Sequence, residues 1–178
     1  MTLTVDRLPA QAADDAALLG LLVGLINGSY AAAEDGLWLP GAERTDLTQT
    51  RAATVAGTVV VAHIGSTLVG TVQTQGTHGA EHSFGTLAVD ARASGQGVGS
   101  ALVERAERDA RVVGARSMRL EVLIATPPLP HLVWLANWYL RLGYREVGRT
   151  SPAEVSPHEA DLLARACEVS VMEKALPA

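Results

Sequence analysis

Three alternating glycines, Gly95, Gly97 and Gly99, constrain this chain more than any other feature. They follow an apolar run from Phe84 to Val89 that predicts a strand. They precede a segment from about Val98 to Val113 whose apolar residues recur at helical spacing. Because glycine lets the backbone turn tightly and approach a ligand without a Cβ clash, we interpret this strand, turn and helix as the unit around which the chain is organised.

The same unit predicts an anion-binding site. Backbone N–H groups in a tight loop can point in one direction, and the N-terminus of a helix adds positive potential. A phosphate or pyrophosphate group is the ligand that such a loop favours. The predicted loop residues are Ser94, Gly95, Gln96, Gly97, Val98, Gly99 and Ser100. A glycine-rich connector that binds nothing is the alternative that the loop leaves open.

Two common phosphate-binding loops fit this stretch less well. A Walker A loop needs Lys and then Ser or Thr after its second glycine, whereas Gly97 is followed by Val98 and Gly99. A dinucleotide-binding loop needs a third glycine where this chain has Ser100 or Leu102. A NAD-type oxidoreductase is therefore a distant alternative.

Composition limits the class of protein. The chain has 178 residues, of which 48% are hydrophobic, so a single domain over residues 1–178 with a sizeable core is expected. The net charge of −5 argues against nucleic acid or an anionic membrane surface as the main partner. A single cysteine, Cys167, excludes an internal disulfide and favours a reducing cytoplasm. The longest apolar run, Ala16 to Ile26, is shorter than a bilayer requires, and the histidines show no metal-ligand spacing.

Periodicity predicts the remaining elements. The expected strands are Thr2–Leu8, Thr58–His63, Thr67–Gln75, Ser117–Ala125, a strand from Tyr144, and Cys167–Lys174. The expected helices run from Asp14 or Asp15 to Asn27-Gly28, from Asp46 to Ala53, from His131 to Leu142, and briefly within Ser151–Ala166. Leu18, Leu21, Leu22, Leu25 and Ile26 are the expected core face of the first helix. Ser29–Arg44 is expected to be irregular, and Gly76–His82 is expected to be a turn. This order predicts an α/β fold with a mixed sheet of six to seven strands and helices on both faces.

The stretch from Phe84 to Ala115 resembles motif A of the GNAT superfamily of acyl-CoA-dependent N-acyltransferases. That motif is Arg/Gln-x-x-Gly-x-Gly/Ala after an apolar strand, and Gly97 and Gly99 match its two small positions. Ser94 departs from it, because it stands at the Arg/Gln position. This difference removes one side-chain contact and leaves the backbone loop intact.

A second stretch, Asn137 to Tyr144, resembles a later GNAT motif in which Asn or Ala precedes Tyr-x-x-x-Gly-Phe/Tyr. Tyr139, Gly143 and Tyr144 match it at the expected distance from the loop. The two motifs cover Phe84 to Thr150, while the first 80 residues fit the family by the order of their elements.

The resemblance implies an enzyme that passes an acetyl group from acetyl-CoA directly to a primary amine. Backbone groups of Leu87, Ala88 and Val89 would pair with the pantetheine arm, and the Leu87 N–H would polarise the acyl carbonyl. The glycine loop would hold the pyrophosphate, and Asn137 would contact the pantetheine or the pyrophosphate. Tyr139 would stand near the CoA sulfur, where a phenol can protonate the departing thiolate.

The resemblance also implies where the acceptor binds. The first helical region forms one wall of the acceptor pocket in this fold. The candidate contacts are Tyr30, Glu34, Asp35 and Trp38. Many relatives carry a carboxylate base early on the central strand, where this chain has Ser83. His82 is the first candidate for the base, because histidine is the side chain most often used as a general base, and Glu81 is the second.

The leading hypothesis is an N-acetyltransferase of the cytoplasm that acts on a small-molecule amine with acetyl-CoA as cosubstrate and without a metal. Acetylation of protein N-termini or lysines is a second hypothesis, and a non-catalytic CoA-binding module is a third. The sequence leaves the acceptor, the acyl length and a homodimer through the last strands open.

Overall fold

The computed structural model describes residues 2–76 and 81–177. The strands are β1 (Leu3–Arg7), β2 (Val59–Ile64), β3 (Thr67–Gly76), β4 (Glu81–Val89), β5 (Ser117–Thr126), β6 (Arg145–Thr150) and β7 (Ala166–Ala175). The helices are α1 (Ala16–Ala33), α2 (Leu47–Val55), α3 (Val98–Val112), α4 (Pro130–Arg141), α5 (Pro152–Val155) and α6 (Pro157–Ala160).

All seven strands form one mixed sheet in the order β1-β2-β3-β4-β5-β7-β6. Every neighbouring pair is antiparallel except β4 and β5. The β4–β5 pairing covers only Glu81–Ser83 against Ser117–Arg119, whereas β5 pairs with β7 along its whole length. The predicted α/β fold with a mixed sheet is therefore confirmed, and the sheet has seven strands.

Helices pack on both faces of this sheet. The main core joins the sheet to α3 and α4 and contains Phe84, Leu102 and Tyr139 among its buried residues. On the other face, Leu19 and Leu22 of α1 pack against β2. Helix α3 approaches the sheet so closely that a Cβ on Gly70 would lie 2.8 Å from a methyl group of Val98. This close contact fixes the N-terminus of α3 beside the central strands.

Helix α1 is longer than its sequence signals indicate. Asp15 caps it as expected, since its carboxylate accepts a hydrogen bond from the Leu18 N–H at 3.0 Å. The helix passes through Asn27-Gly28 and ends at Ala33, so the predicted end was wrong. The Asn27 side chain bonds backbone groups of residues 44 and 45 and thus orders the next segment. The predicted core position Leu21 is also wrong, because this residue is 62% exposed.

The extension of α1 changes one prediction about membranes. Its 18 residues have a mean hydropathy of 1.7, so by length and composition the helix is long and apolar enough to cross a membrane. The apolar run that the sequence shows ends earlier and is too short to do so. In the structure, 17% of this helix is buried, which corresponds to Leu19, Leu22 and Ile26.

Glycines and a capping aspartate mark several ends of the helices. Gly114 and Gly143 adopt positive φ at the ends of α3 and α4. Asp46 forms a capping box at the start of α2. The predicted turn over Gly76–His82 was wrong at its borders, since Gly76 ends β3 and β4 begins at Glu81. Residues 77–80 lie outside the described residues.

A buried carboxylate ties α3 to β7. Glu107 is 4% exposed and accepts hydrogen bonds from the Lys174 ammonium at 2.8 and 3.0 Å. The Tyr144 hydroxyl donates to the same carboxylate at 2.9 Å. Arg111, one turn further along α3, lies 3.3 Å from it. The buried Glu107 carboxylate is therefore paired. Without Lys174 or Tyr144, it would keep its negative charge with too few hydrogen-bond partners.

We expect Lys174→Met to lower the free energy of unfolding by about 3 kcal/mol, because it leaves the Glu107 carboxylate buried without its main cation. The matched control is Arg149→Met, which removes an exposed ion pair with Glu146 and Glu168 and should cost less than about 1 kcal/mol. Urea denaturation of both variants measures the difference. Equal losses would contradict the role assigned to Glu107.

Candidate active site

The separation of β4 and β5 opens a cavity of about 760 Å³ through the middle of the sheet. Past Ser83 and Arg119 the two strands no longer pair, although both continue for several residues. Residues of both strands line the cavity, together with residues of α1, the glycine loop, α4 and the segment between β6 and β7. The predicted site residues can be judged by where they lie relative to this cavity.

A bulge in β4 directs backbone groups towards the cavity. Thr71 pairs with Ala88 and Gln73 with Gly85, so one residue of β3 faces two residues of β4, Thr86 and Leu87. Thr86 has a φ of +50°, which is unusual for a β-branched residue. Thr86, Leu87, Ala88 and Val89 all line the cavity. The bulge leaves Thr86 and Leu87 unpaired with β3, so their backbone groups can form hydrogen bonds with another partner.

The glycine loop forms one end of the cavity. Gly95 and Gly97 adopt φ values of +75° and +79°. Helix α3 begins at Val98 without a side-chain cap, so the N–H groups of its first turn have no partner within the helix. The loop residues that line the cavity are Ser94, Gly95, Gly97, Val98, Gly99 and Ser100.

These N–H groups and the α3 dipole form a donor set that suits a pyrophosphate. Gly99 has little room for a side chain, since a Cβ there would lie 3.4 Å from the Trp138 ring. Gln96 is not among the lining residues, because it is exposed and its amide donates to the Arg92 carbonyl at 3.1 Å. A group such as the CoA pyrophosphate therefore fits the backbone of this loop.

Helix α4 contributes an aromatic wall. Tyr139 lines the cavity, is 5% exposed, and packs against Phe84 with 6.0 Å between ring centroids. Burial raises the pKa of its phenol, which therefore stays protonated at neutral pH. Asn137 does not line the cavity, since it lies on the outer face of α4 and donates to the Val133 carbonyl at 2.9 Å.

Helix α1 and the segment after it form the opposite wall. Tyr30, Glu34 and Trp38, three of the predicted acceptor contacts, line the cavity, and the Trp38 indole N–H donates to Glu34 at 2.5 Å. Burial raises the pKa of Glu34 above its ordinary value and raises the pKa of Tyr30 to about 12. Asp35 is exposed and is not among the lining residues.

Sequence reasoning missed Arg44 and Glu159. The Arg44 guanidinium lies 4.8 Å from the centre of the Tyr30 ring and 5.2 Å from that of Trp38. It pairs with Glu159 of α6 at 3.0 Å. Arg44 and Glu159 come from distant parts of the chain and carry no shared motif, so only the fold reveals that they meet.

The two irregular segments also join over this side of the cavity. Trp38 and Leu163 form an isolated β-bridge. The Leu39 N–H donates to the Leu162 carbonyl at 2.8 Å, and the Ala164 N–H donates to the Leu37 carbonyl at 2.9 Å. These bonds and the Arg44–Glu159 pair form a roof over the end of the cavity that Tyr30, Glu34 and Trp38 line.

The residues predicted as the base lie elsewhere. Glu81 pairs with Arg119 at 2.9 Å at the closed end of the β4–β5 pair. His82 lies two residues before Phe84 on β4, so its side chain is on the face of the sheet that packs in the core with α3 and α4, as Phe84 does. Neither Glu81 nor His82 is among the described residues that line the cavity. In the part of the chain that the structure describes, no group of three or more His, Cys, Asp and Glu residues could hold a metal ion.

The comparisons with known proteins agree with this geometry. The family model of the acetyltransferase (GNAT) domain matches residues 56–146, which is half of the chain. The chain therefore belongs to the GNAT acetyltransferase family, and it is an acetyltransferase that uses acetyl-CoA. No curated protein matches its sequence.

Solved structures show the same fold at low sequence identity. A protein from Mycobacterium tuberculosis in complex with CoA and NLQ is 17% identical, with a TM-score of 0.64 over 98% of this chain and 99% of that one. An IAA acetyltransferase from Bacillus cereus is 17% identical, with a TM-score of 0.65 over 98% and 100% of the two chains. An N-acetyltransferase from Staphylococcus aureus is 11% identical, with a TM-score of 0.70 over 99% and 100%.

We expect Thr86→Gly to raise the free energy of unfolding by about 1 kcal/mol. Relief of a strained positive φ gains about 1–3 kcal/mol, whereas the extra freedom of glycine in the unfolded chain costs about 0.5–1 kcal/mol. The same change at Thr67, which lies at the start of β3 without a positive φ, should destabilise the protein. Urea denaturation that shows equal destabilisation at both positions would contradict the strain.

Proposed function

We propose that this acetyltransferase transfers the acetyl group to a primary amine of a small, cationic molecule. The roofed, acidic end of the cavity is the observation that carries the proposal. We also propose that residues 1–178 act as one domain and that the enzyme works in the cytoplasm, in keeping with its single half-buried cysteine.

The cofactor half of the proposal rests on the loop and the bulge. The N–H groups at the start of α3 would hold the pyrophosphate. The backbone of β4 from Leu87 to Val89 would pair with the pantetheine arm along the edge that no longer pairs with β5. Such pairing would bring the thioester carbonyl to the Leu87 N–H, which stabilises the oxyanion that forms during attack. Ser94 lines the cavity and takes the position where the family motif has Arg or Gln.

Tyr139 is suited to act as the acid. Its hydroxyl belongs to a buried side chain on the cavity wall, and burial raises its pKa, so the phenol carries its proton at neutral pH. A departing thiolate is disfavoured in its charged form beside the apolar wall that Phe84 and Tyr139 form, which favours its protonation. We assign the protonation of the CoA sulfur to Tyr139.

The acceptor end favours positive charge. Three carboxylates line the described cavity, Glu34, Glu121 and Glu159, against one guanidinium, Arg44. Because Arg44 is already paired with Glu159, its charge is largely compensated within the wall. The remaining negative charge favours an ammonium group and opposes a carboxylate on the acceptor.

The roof favours a small acceptor over a protein. A lysine or N-terminus of a folded protein would have to reach the thioester through an end of the cavity that the Trp38–Leu163 bridge crosses. A compact amine needs no such access. A homodimer through the last strands stays a prediction, for which β6 offers an exposed edge of the sheet.

We expect Gly97→Val to lower the affinity for acetyl-CoA at least about 100-fold, because the new side chain strains a left-handed position and projects beside the proposed pyrophosphate site. Gly114→Val is the matched control at the other end of α3, where glycine has a φ of +85° and nothing lies within 4 Å of an added Cβ. Calorimetric titration with acetyl-CoA should show normal affinity for the control. Normal affinity of both variants would place the pyrophosphate elsewhere.

The function itself is tested with acceptors of equal length. Three amines share a four-carbon chain and differ only at the end distant from the reacting amine. They are butane-1,4-diamine, n-butylamine and 4-aminobutanoate. We expect kcat/KM to fall in that order, since the second end is cationic, neutral and then anionic. Release of CoA thiol in the presence of acetyl-CoA measures the rate.

A short peptide with a free N-terminus and one lysine serves as the comparison. If the peptide is acetylated faster than all three small amines, the small-molecule proposal is wrong. If 4-aminobutanoate is the best acceptor, the acidic end of the cavity does not select the substrate. Binding of acetyl-CoA without any turnover would favour a non-catalytic binding module.

A further inference from the structure

We propose that Glu121 on β5 is the general base that removes a proton from the acceptor amine, in place of the β4 residues that the family resemblance suggests. The assignment rests on the proposed function, since it concerns the same acceptor cavity. It comes from the position of Glu121 in the fold and from the partners of the other carboxylates.

Glu121 lies beside the place where the acetyl group would be transferred. The last residues that pair between β4 and β5 are Ser83 and Arg119, so Glu121 is the second residue past that pair, level with Gly85. Gly85 is exposed, and a Cβ added to it would meet nothing within 4 Å. The space between the strands is therefore open at this level, two residues before Leu87.

The side chain points to the acceptor face of the sheet. Leu120 and Val122 are buried in the core with α3 and α4, so alternation puts Glu121 on the opposite face with Leu123. Leu123 packs in a cluster that includes Trp38 of the acceptor wall. Glu121 lines the cavity and is exposed to solvent, which allows a proton to leave.

The other carboxylates of the cavity are already engaged. Glu34 accepts the Trp38 indole hydrogen bond, and Glu159 is paired with Arg44. Glu121 has no hydrogen-bond or ion-pair partner among residues 2–76 and 81–177. It is thus the cavity carboxylate whose oxygens are available to a bound ammonium group.

Burial and the charged groups around Glu121 act on its pKa in opposite directions. Partial burial raises its pKa, the neighbouring Arg119 opposes that effect, and Glu159 across the cavity supports it. Arg119 is held by Glu81, which lies on the β4 side of the pair. A carboxylate with a raised pKa is a better proton acceptor than an ordinary surface glutamate.

The proton balance of the reaction is complete with these residues. The acceptor ammonium gives one proton to the Glu121 carboxylate, and the neutral amine forms a C–N bond with the acetyl carbon. The C–S bond then breaks, and the CoA sulfur takes the proton of Tyr139. The amide nitrogen loses its second proton, which restores the Tyr139 phenol, and Glu121 releases its proton to solvent.

Glu121→Gln should lower kcat at neutral pH about 100-fold or more, with the affinity for acetyl-CoA unchanged. In the wild type, kcat/KM should rise with pH as Glu121 loses its proton and then level off. In the variant this plateau should disappear, so that the rate keeps rising with pH towards the pKa of the amine itself. Glu104→Gln, the same change at an exposed position of α3, is the control and should leave the profile intact.

A second measurement separates a base from a structural role. Ethylamine is protonated at neutral pH, whereas 2,2,2-trifluoroethylamine has nearly the same size and is largely unprotonated. If Glu121 removes the proton, the variant should be slow with ethylamine and close to wild-type with the fluorinated amine. Equal losses with both amines would overturn the assignment.

Three further outcomes would also overturn it. One is an unchanged pH profile in Glu121→Gln. The second is loss of the plateau in Glu81→Gln or His82→Gln instead. The third is loss of the plateau in His131→Gln, since His131 also lines the cavity and burial lowers its pKa.

The failure of the proposed function can be told from the failure of this assignment. If acetyl-CoA binds and no small amine is acetylated, both are wrong. If small amines are acetylated and Glu121→Gln has no effect, only the assignment of Glu121 is wrong.

Discussion

The functional architecture depends on the short contact between β4 and β5. Two parallel strands that stayed paired would fill the centre of the sheet with backbone hydrogen bonds and side chains. Here they pair over three residues of each strand, and the Glu81–Arg119 ion pair closes that end. Beyond it β5 stays attached to the sheet through β7 alone, which frees its β4-facing edge. The cavity, the exposed bulge and both proposed substrate sites follow from this separation.

The proposed cosubstrate site and the proposed acceptor site are built by elements on opposite faces of the sheet. On one face, α3 and α4 bring the glycine loop and Tyr139 to the cavity from a dense apolar core. On the other face, α1 and the segments that meet at Trp38 and Leu163 bring acidic and aromatic groups. The donor end is thus built on regular elements, where a backbone loop suffices. The acceptor end is built from irregular segments, which is where chemical selectivity is adjusted in many enzymes.

Local signals predicted most of the fold. The strand, the glycine turn and α3 follow from periodicity and from glycines that need positive φ. The end of α1 was missed because Asn27 and Gly28 resemble a helix stop, whereas Asn27 bonds a later segment. These hydrogen bonds join residues far apart in the sequence, so no local pattern predicts them.

Sequence analysis located the cavity-lining residues better where their backbone is expected to bind a ligand than where their side chains are. The other loop residues and the β4 residues line the cavity, whereas Asn137 and Gln96 do not. In a helix or a turn, neighbouring side chains point in different directions, so a motif match does not fix which of them faces the cavity. The base candidates came from an assumed alignment on β4, and the pairing of Glu81 with Arg119 could not be seen in the sequence. Glu121 did leave a signal, because it is the one carboxylate of β5 and stands directly before the apolar run Val122–Ala125.

The pairing of Lys174 with Glu107 has a consequence for the chemistry of the enzyme itself. The chain contains one lysine, and the structure holds its ammonium against both oxygens of a buried carboxylate. An ammonium in that position must lose two strong hydrogen bonds before it can act as a nucleophile. A protein that handles activated acetyl groups thus keeps its one lysine side chain from competing with the acceptor.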